Sequence, residues 1–294
     1  MAGKNYKKRA GDRKEGRLLR TLPALNKFTP YIMPASNDAC NFYEEDFEIS
    51  KTENMLRSEH DSGYKDIGFL HFIIAAYVRC ISMLPGINRF VAGRRIYARN
   101  NIEVIFKVKR ESSVSSPETS VKVSFEPTDT IFDVYRKISE NVEDIRASGG
   151  SGNLEATAEA FSHTPRFILR FSFFILRIMD YFGWLPNSLL QSSPYHGSLA
   201  ITDMKSRHAG PVFHHISNFG TLPVCITYGS KYHKYDLDED GTVQDRKCVD
   251  MKFVFDERIA DGHYYSQFLQ ALRYIFEHPE ILEVPPSRVV DDID

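Results

Sequence analysis

Two stretches of the chain alternate strictly between apolar and polar residues. Ile102, Val104, Phe106 and Val108 alternate with Glu103, Lys107 and Lys109, and Val121, Val123 and Phe125 alternate with Lys122 and Ser124. A period of two puts each apolar set on one sheet face, which predicts half-buried strands. The Ser- and Pro-rich stretch Ser112 to Pro117 reads as the loop between them. Upstream, Asp66 to Leu84 is apolar on nearly all sides, with His71, Arg79 and Ser82 confined to one stripe, as in a helix sunk in a core. Pro85-Gly86 ends it. Asp129 to Arg146 reads as a second helix, Ser148-Gly149-Gly150-Ser151-Gly152 as a flexible break, and Leu154 to about Tyr181 as a third helix. Within the third, the apolar run Phe167–Trp184 is interrupted by Arg170, Arg177 and Asp180, too charged for a membrane span. Arg170 and Arg177, seven apart, share a face, as in an amphipathic helix that packs on a core. Strands return at Ser198–Thr202, Leu222–Tyr228 and Val249–Phe255. A helix from about His263 to His278 then turns Tyr265, Phe268, Leu269, Leu272 and Phe276 to one side. Helices interleaved with strands and no internal repeat predict one α+β domain with a mixed sheet.

Composition adds less. The chain has 294 residues, 26% of them charged, and a net charge of -2, so no global field favours nucleic acid. The charge is uneven. Eight Lys or Arg stand in the first 20 residues against Asp12 and Glu15, and the chain ends Asp291-Asp292-Ile293-Asp294. The expected organisation is a flexible basic arm at 1–16, a domain at 17–285 and an acidic tail at 286–294. Cys40, Cys80, Cys225 and Cys248 are far apart, so neither a disulfide framework nor a zinc site is indicated, and a cytoplasmic location is expected. Asp236, Asp238, Asp240 and Gly241 spell the start of a calcium loop, but Lys247 stands where its bidentate Glu belongs. Asp240-Gly241 between alternating runs predicts a hairpin turn instead. No metal site is expected.

The chemistry-bearing stretch is Asp256-Glu257-Arg258-Ile259-Ala260-Asp261-Gly262, between an alternating strand and the last helix. It resembles the His-x-x-x-Asp-Gly signature of the chloramphenicol acetyltransferase and dihydrolipoyl acyltransferase superfamily. In dihydrolipoyl acyltransferases the signature takes the longer form Asp-His-Arg-x-x-Asp-Gly. Asp256, Arg258, Asp261 and Gly262 match that form, and Glu257 occupies the histidine position. Ile201-Thr202-Asp203 resembles the strand whose hydroxyl stabilises an oxyanion. Leu222 to Gly229 resembles the strand that follows it, and Leu84-Pro-Gly-Ile-Asn88 the turn after the first helix. The resemblance spans about residues 17–285.

The resemblance implies a mixed β-sheet with helices packed on one side and a homotrimer whose sites lie between subunits. It implies transfer of an acyl group from coenzyme A to a hydroxyl, amine or thiol acceptor, with coenzyme A as substrate rather than permanent cofactor. Glu257 would be the general base, Thr202 the oxyanion donor, and Asp261 a brace paired with Arg17 or Arg20. Thr227 and Lys231 would contact coenzyme A. A free Glu begins about two pKa units below His (~4.3 against ~6.5), and burial in an apolar tunnel would raise it. His263 and His215 are alternative bases; His214-His215 belongs to Phe213–Gly220, a partial copy of the signature with Phe219 at its aspartate. The alternative, from another class, is an inactive trimeric scaffold or acyl-CoA-binding protein of the same fold.

Overall fold

The computed structural model describes residues 7–109, 118–147, 164–205, 209–238 and 240–294. The expected loop at 112–117 and the break at 148–152 lie outside them. Among the described residues a six-stranded mixed sheet organises the molecule. Its strands are β2 (Cys40–Glu48), β5 (Ile102–Lys109), β6 (Glu118–Phe125), β7 (Leu199–Asp203), β8 (Val224–Leu237) and β9 (Val243–Asp256). Their order is β2-β9-β8-β7-β5-β6. β7 runs parallel to β5 and β8, and the other pairs are antiparallel. A smaller sheet is built from β1 (Gly16–Leu18), β3 (Arg89–Ala92) and β4 (Arg95–Arg99), in the order β1-β4-β3.

Alternation decides which side of the large sheet is buried. Ile102, Val104 and Phe106 on β5, Val121, Val123 and Phe125 on β6, and Leu199 and Ile201 on β7 all join one core cluster. Helices α2 (Ser50–Asp61), α3 (Phe69–Met83), α4 (Ile131–Ala147) and α7 (Gly262–Glu277) supply its other half. Helices thus cover one side, as the resemblance implies. α3 is buried along almost its whole length and ends at the 3-10 turn Pro85–Asn88. Three further helices, α1 (Ala24–Ile32), α5 (Arg166–Phe182) and α6 (Asn187–Ser192), contribute little to that cluster.

The hairpin joining β8 to β9 turns at Gly241, which takes a left-handed φ of 81° that a side chain would strain. The Asp-Gly reading therefore holds, although each strand runs 14 residues, longer than alternation alone suggests.

The arm differs from expectation at residues 9–16, which pack onto the fold. Buried Arg13 donates to the Asp180 main-chain oxygen at 2.6 Å and its carboxylate at 3.0 Å. The tail also docks: Arg89 forms a two-pronged pair with buried Asp292, and Thr21 donates its main-chain N–H to the Asp294 oxygen at 2.6 Å. Charge excess at a chain end does not reveal a partner that lies far away in sequence.

His71 supplies a pH-sensitive element. Its Nδ1 accepts from the Gly68 main-chain N–H at 3.1 Å, closing the first turn of α3. Burial pushes its pKa down to about 4, against the pull of Asp66. The native state therefore keeps His71 neutral while the unfolded chain binds a proton below ~6.5. Its contribution is fully present above that value and is lost as pH falls toward 4. The predicted loss is on the order of 3 kcal/mol. His71→Gln retains an acceptor for the cap and does not titrate. Urea unfolding between pH 4 and pH 7 should show a shallower acid slope for that variant.

Candidate active site

β9 ends at Asp256, and the chain then makes a tight turn into α7. Within that turn Asp256 and Arg258 form a closed pair, both side chains 4% exposed. Arg258 donates Nε to Asp256 Oδ1 at 2.8 Å and Nη2 to Oδ2 at 2.6 Å, and its main-chain N–H also reaches Oδ1 at 3.0 Å. Its guanidinium continues to the Ser36 hydroxyl at 2.7 Å and the Met33 carbonyl. Tyr265 donates its hydroxyl to the Asp256 carbonyl at 2.5 Å. A buried two-pronged pair is directional as well as attractive. With residues 256 and 258 both held inward, the residue between them must point out.

That residue is Glu257. Its main-chain N–H donates to the Ala39 carbonyl at 2.8 Å, and its side chain is exposed on the single chain. Among the described residues no hydrogen-bond donor reaches its carboxylate. The expected burial in an apolar tunnel is not supplied within one chain.

Thr202 lies on the sheet face away from the four core helices, near the C-terminal end of β7, and is half-buried. Its ladder partner is Thr227, whose own partner across the next pair is Lys252. Glu257 is two strands over and five residues further on. At strand spacings of about 4.8 Å and a rise of about 3.3 Å per residue, roughly 20 Å separates the two. Within one chain the two side chains are too far apart to meet.

No protein-family model matches the sequence, and no curated protein matches it. Solved structures do match. A probable dihydrolipoamide acetyltransferase from Listeria monocytogenes 4b F2365 superposes with a TM-score of 0.57 at 17% identity, over 92% of this chain and 96% of that one. The dihydrolipoamide acetyltransferase of Azotobacter vinelandii gives 0.57 at 12% identity, over 93% and 95%. A chloramphenicol acetyltransferase gives 0.52 at 9% identity, over 89% and 99%. The chain has the chloramphenicol acetyltransferase-like fold. At these identities the likeness shows the fold alone.

Several residues sit otherwise than expected. Asp261 does not brace the loop through Arg17 or Arg20. Its carboxylate caps α7 by accepting the Tyr264 main-chain N–H at 2.9 Å, a use its extended backbone favours. Arg17 donates instead to the main-chain oxygens of Asp292 and Ile293, at 3.0 and 2.7 Å, and Arg20 to Asp12 at 3.0 Å. Gly262 opens α7 and is exposed.

Thr227 and Lys231 do not converge. Thr227 is buried on the same sheet face as Thr202, whereas the bulge between Tyr228 and Lys231 turns Lys231 to the helical side. There it bonds Glu53 of α2 and lies 5.9 Å over the Phe69 ring, while Lys247 holds the other Glu53 oxygen at 2.5 Å. Lys231 is thus committed to the core, away from any site at Thr202.

His263 is exposed, with its Nε2 3.1 Å from Gln267 on the outer side of α7. His215 is exposed too, but its neighbour His214 turns inward. Their segment crosses the second face of the sheet, where Ile216 packs against Cys225 and Val254, and Phe213 meets Phe42 edge-on at 5.4 Å. Burial, with the nearby charges of Lys107 and His215, pushes the His214 pKa down, and its Nε2 is a buried atom without a hydrogen-bond partner. Lys107 directly follows Phe106, the ladder partner of Ile201, so His214 belongs to the Thr202 side of the sheet. A His-His doublet in sequence does not reveal which ring points in.

Proposed function

We propose that the chain is an acyltransferase that moves an acyl group from a coenzyme A thioester to a hydroxyl, amine or thiol acceptor, at a site completed by a second copy in a homotrimer. The observation that carries this reading is the Asp256–Arg258 pair, which holds Glu257 outward at the strand end of an acetyltransferase-like fold. In the proposed reaction the Glu257 carboxylate takes the acceptor's proton and the acceptor attacks the thioester carbonyl. Thr202 of the neighbouring copy donates its hydroxyl to the oxyanion that forms. Collapse of that intermediate breaks the carbon–sulfur bond, and the proton passes from Glu257 to the departing thiolate. The separation of roughly 20 Å within one chain is why the donor has to come from a neighbour.

A second reading, an inactive scaffold or acyl-CoA-binding protein, draws support from the exposure of Glu257 on the single chain. Release of free thiol from a panel of acyl-CoAs with alcohol, amine and thiol acceptors separates the two. The acyltransferase reading expects turnover with at least one pair, slowed about 10²-fold by Thr202→Ala. Coenzyme A binding with no turnover across the panel would favour the scaffold.

A further inference from the structure

The sequence predicts that the apolar side of α5 packs inward, and the structure turns most of it out. Positions 167, 171, 174 and 182 fall on one stripe of the helix, with 168 and 175 beside it. Phe167 is 73% exposed, Phe171 65%, Phe174 59% and Phe182 57%, and Ile168 and Ile175 are also exposed. Only a narrower side, with half-buried Leu169, Leu176 and Met179 and buried Asp180, faces the protein. The helix is fixed at its C-terminal end. Arg13 holds Asp180 there, and Gly93, whose added Cβ would stand 2.6 Å from the Tyr181 carbonyl, lets the β3–β4 hairpin close against it.

Charge along α5 is as lopsided as its apolar surface. Arg166, Arg170 and Arg177 form a row along one edge of the stripe, and all three are exposed. The only acidic residue of the helix is Asp180, buried and paired with Arg13. Among the described residues no carboxylate forms an ion pair with any of the three arginines. Phe182 stacks on exposed Trp184 at 4.8 Å, which extends the stripe past the helix end with a ring suited to a headgroup boundary. Lys14 adds a further exposed cation at the same end, donating to the Leu185 carbonyl at 2.8 Å.

We propose that α5 docks the protein onto the surface of an anionic lipid bilayer, its Phe and Ile stripe sunk at the acyl boundary and Arg166, Arg170 and Arg177 on lipid phosphates. The arrangement is that of a helix lying in the membrane plane: aromatic and aliphatic side chains on one side and, among the described residues, arginines with no carboxylate paired to them on its edge. It is distinct from spanning, since no helix among the described residues is long and apolar enough to cross a membrane. The commitment to lipid rests on charge: among the described residues the face offers three cations that no carboxylate pairs and no exposed carboxylate, which complements a negatively charged surface. This inference does not depend on the acyltransferase reading.

Flotation of the full chain with vesicles of phosphatidylcholine, with and without 30 mol % phosphatidylglycerol (about one lipid in three), tests it. The wild type should float with the anionic vesicles and bind the neutral ones about tenfold less, and salt should weaken the binding. Phe171→Ser/Phe174→Ser should lower binding by about tenfold or more at unchanged circular dichroism. Arg170→Gln/Arg177→Gln should remove most of the preference for phosphatidylglycerol. Failure of the wild type to float with anionic vesicles would overturn the proposal, as would undiminished binding by the Phe variant. So would light scattering in which the Phe variant falls to a smaller mass while the wild type ignores vesicles, because the stripe would then join copies of this chain.

Discussion

Glu257→Gln is expected to slow acyl transfer by about 10²–10⁴ while leaving coenzyme A affinity nearly unchanged, because the amide keeps the shape of the carboxylate and cannot take a proton. Nothing in the fold depends on the carboxylate itself. It is exposed, its residue is held through the main chain at Ala39, and the buried bonds of the turn belong to Asp256 and Arg258. The thermal midpoint should therefore stay within the experimental scatter of wild type. Single-turnover rates with a productive acyl-CoA and acceptor pair measure the effect. A variant as fast as wild type would remove Glu257 from the chemistry and direct attention to His263 and the His214-His215 pair. Activity found only in Glu257→His would show an intact site whose base had been replaced.

Asp256→Ala should cost stability and activity together. Removing one partner of a buried ion pair leaves the other charge uncompensated, typically at about 3–5 kcal/mol. Here the stranded group is the Arg258 guanidinium, 4% exposed, which would keep only its bonds to Ser36 and Met33. For a chain of this size the thermal midpoint should fall by on the order of 5–10 °C. The double variant Asp256→Leu/Arg258→Met removes both charges, and apolar replacement of a whole buried pair is often neutral or better. It should recover much of the lost midpoint and still lack activity, since nothing then fixes residue 257 outward. Calorimetry beside turnover distinguishes this from a purely structural role, in which activity would return with stability.

Sequence made the core legible where period and burial coincide. α3 and the strands β5, β6 and β7 begin and end within a few residues of where alternation places them, because one face of each strand meets the helical layer and the other does not, whereas β8 and β9 extend well beyond the expected strands at their hairpin end. The Asp256–Gly262 motif also identified the strand-to-helix turn. Sequence did not reveal what each carboxylate holds. Asp261 could brace or cap, and the choice depends on a backbone angle; Asp256 and Arg258 look like two motif positions until the 2.6 and 2.8 Å contacts make them one clamp. Lys231 lies on the other sheet face from the one residue order implies, because a bulge in β8 exchanges its side. The docking of residues 9–16 is invisible in the sequence because their anchors, Asp180 and the chain end, lie more than 160 positions away. Most misleading was α5, where period 3.6 reports that one side is apolar but not that this side faces the protein.

The central claim, that the base and the oxyanion donor come from different copies of the chain, is tested by mixing two impaired variants. Glu257→Gln and Thr202→Ala proteins are unfolded together, refolded at equal concentration and assayed against each variant refolded alone. In a ring of copies with one site at each interface, a site is intact when a Thr202→Ala chain supplies Glu257 and a Glu257→Gln chain supplies Thr202, which random assembly gives about one time in four. The expected result is recovery of about a quarter of wild-type activity in the mixture, against about a hundredth or less in either parent. A mixture as inactive as its parents, under conditions where refolded wild type is fully active, would contradict it.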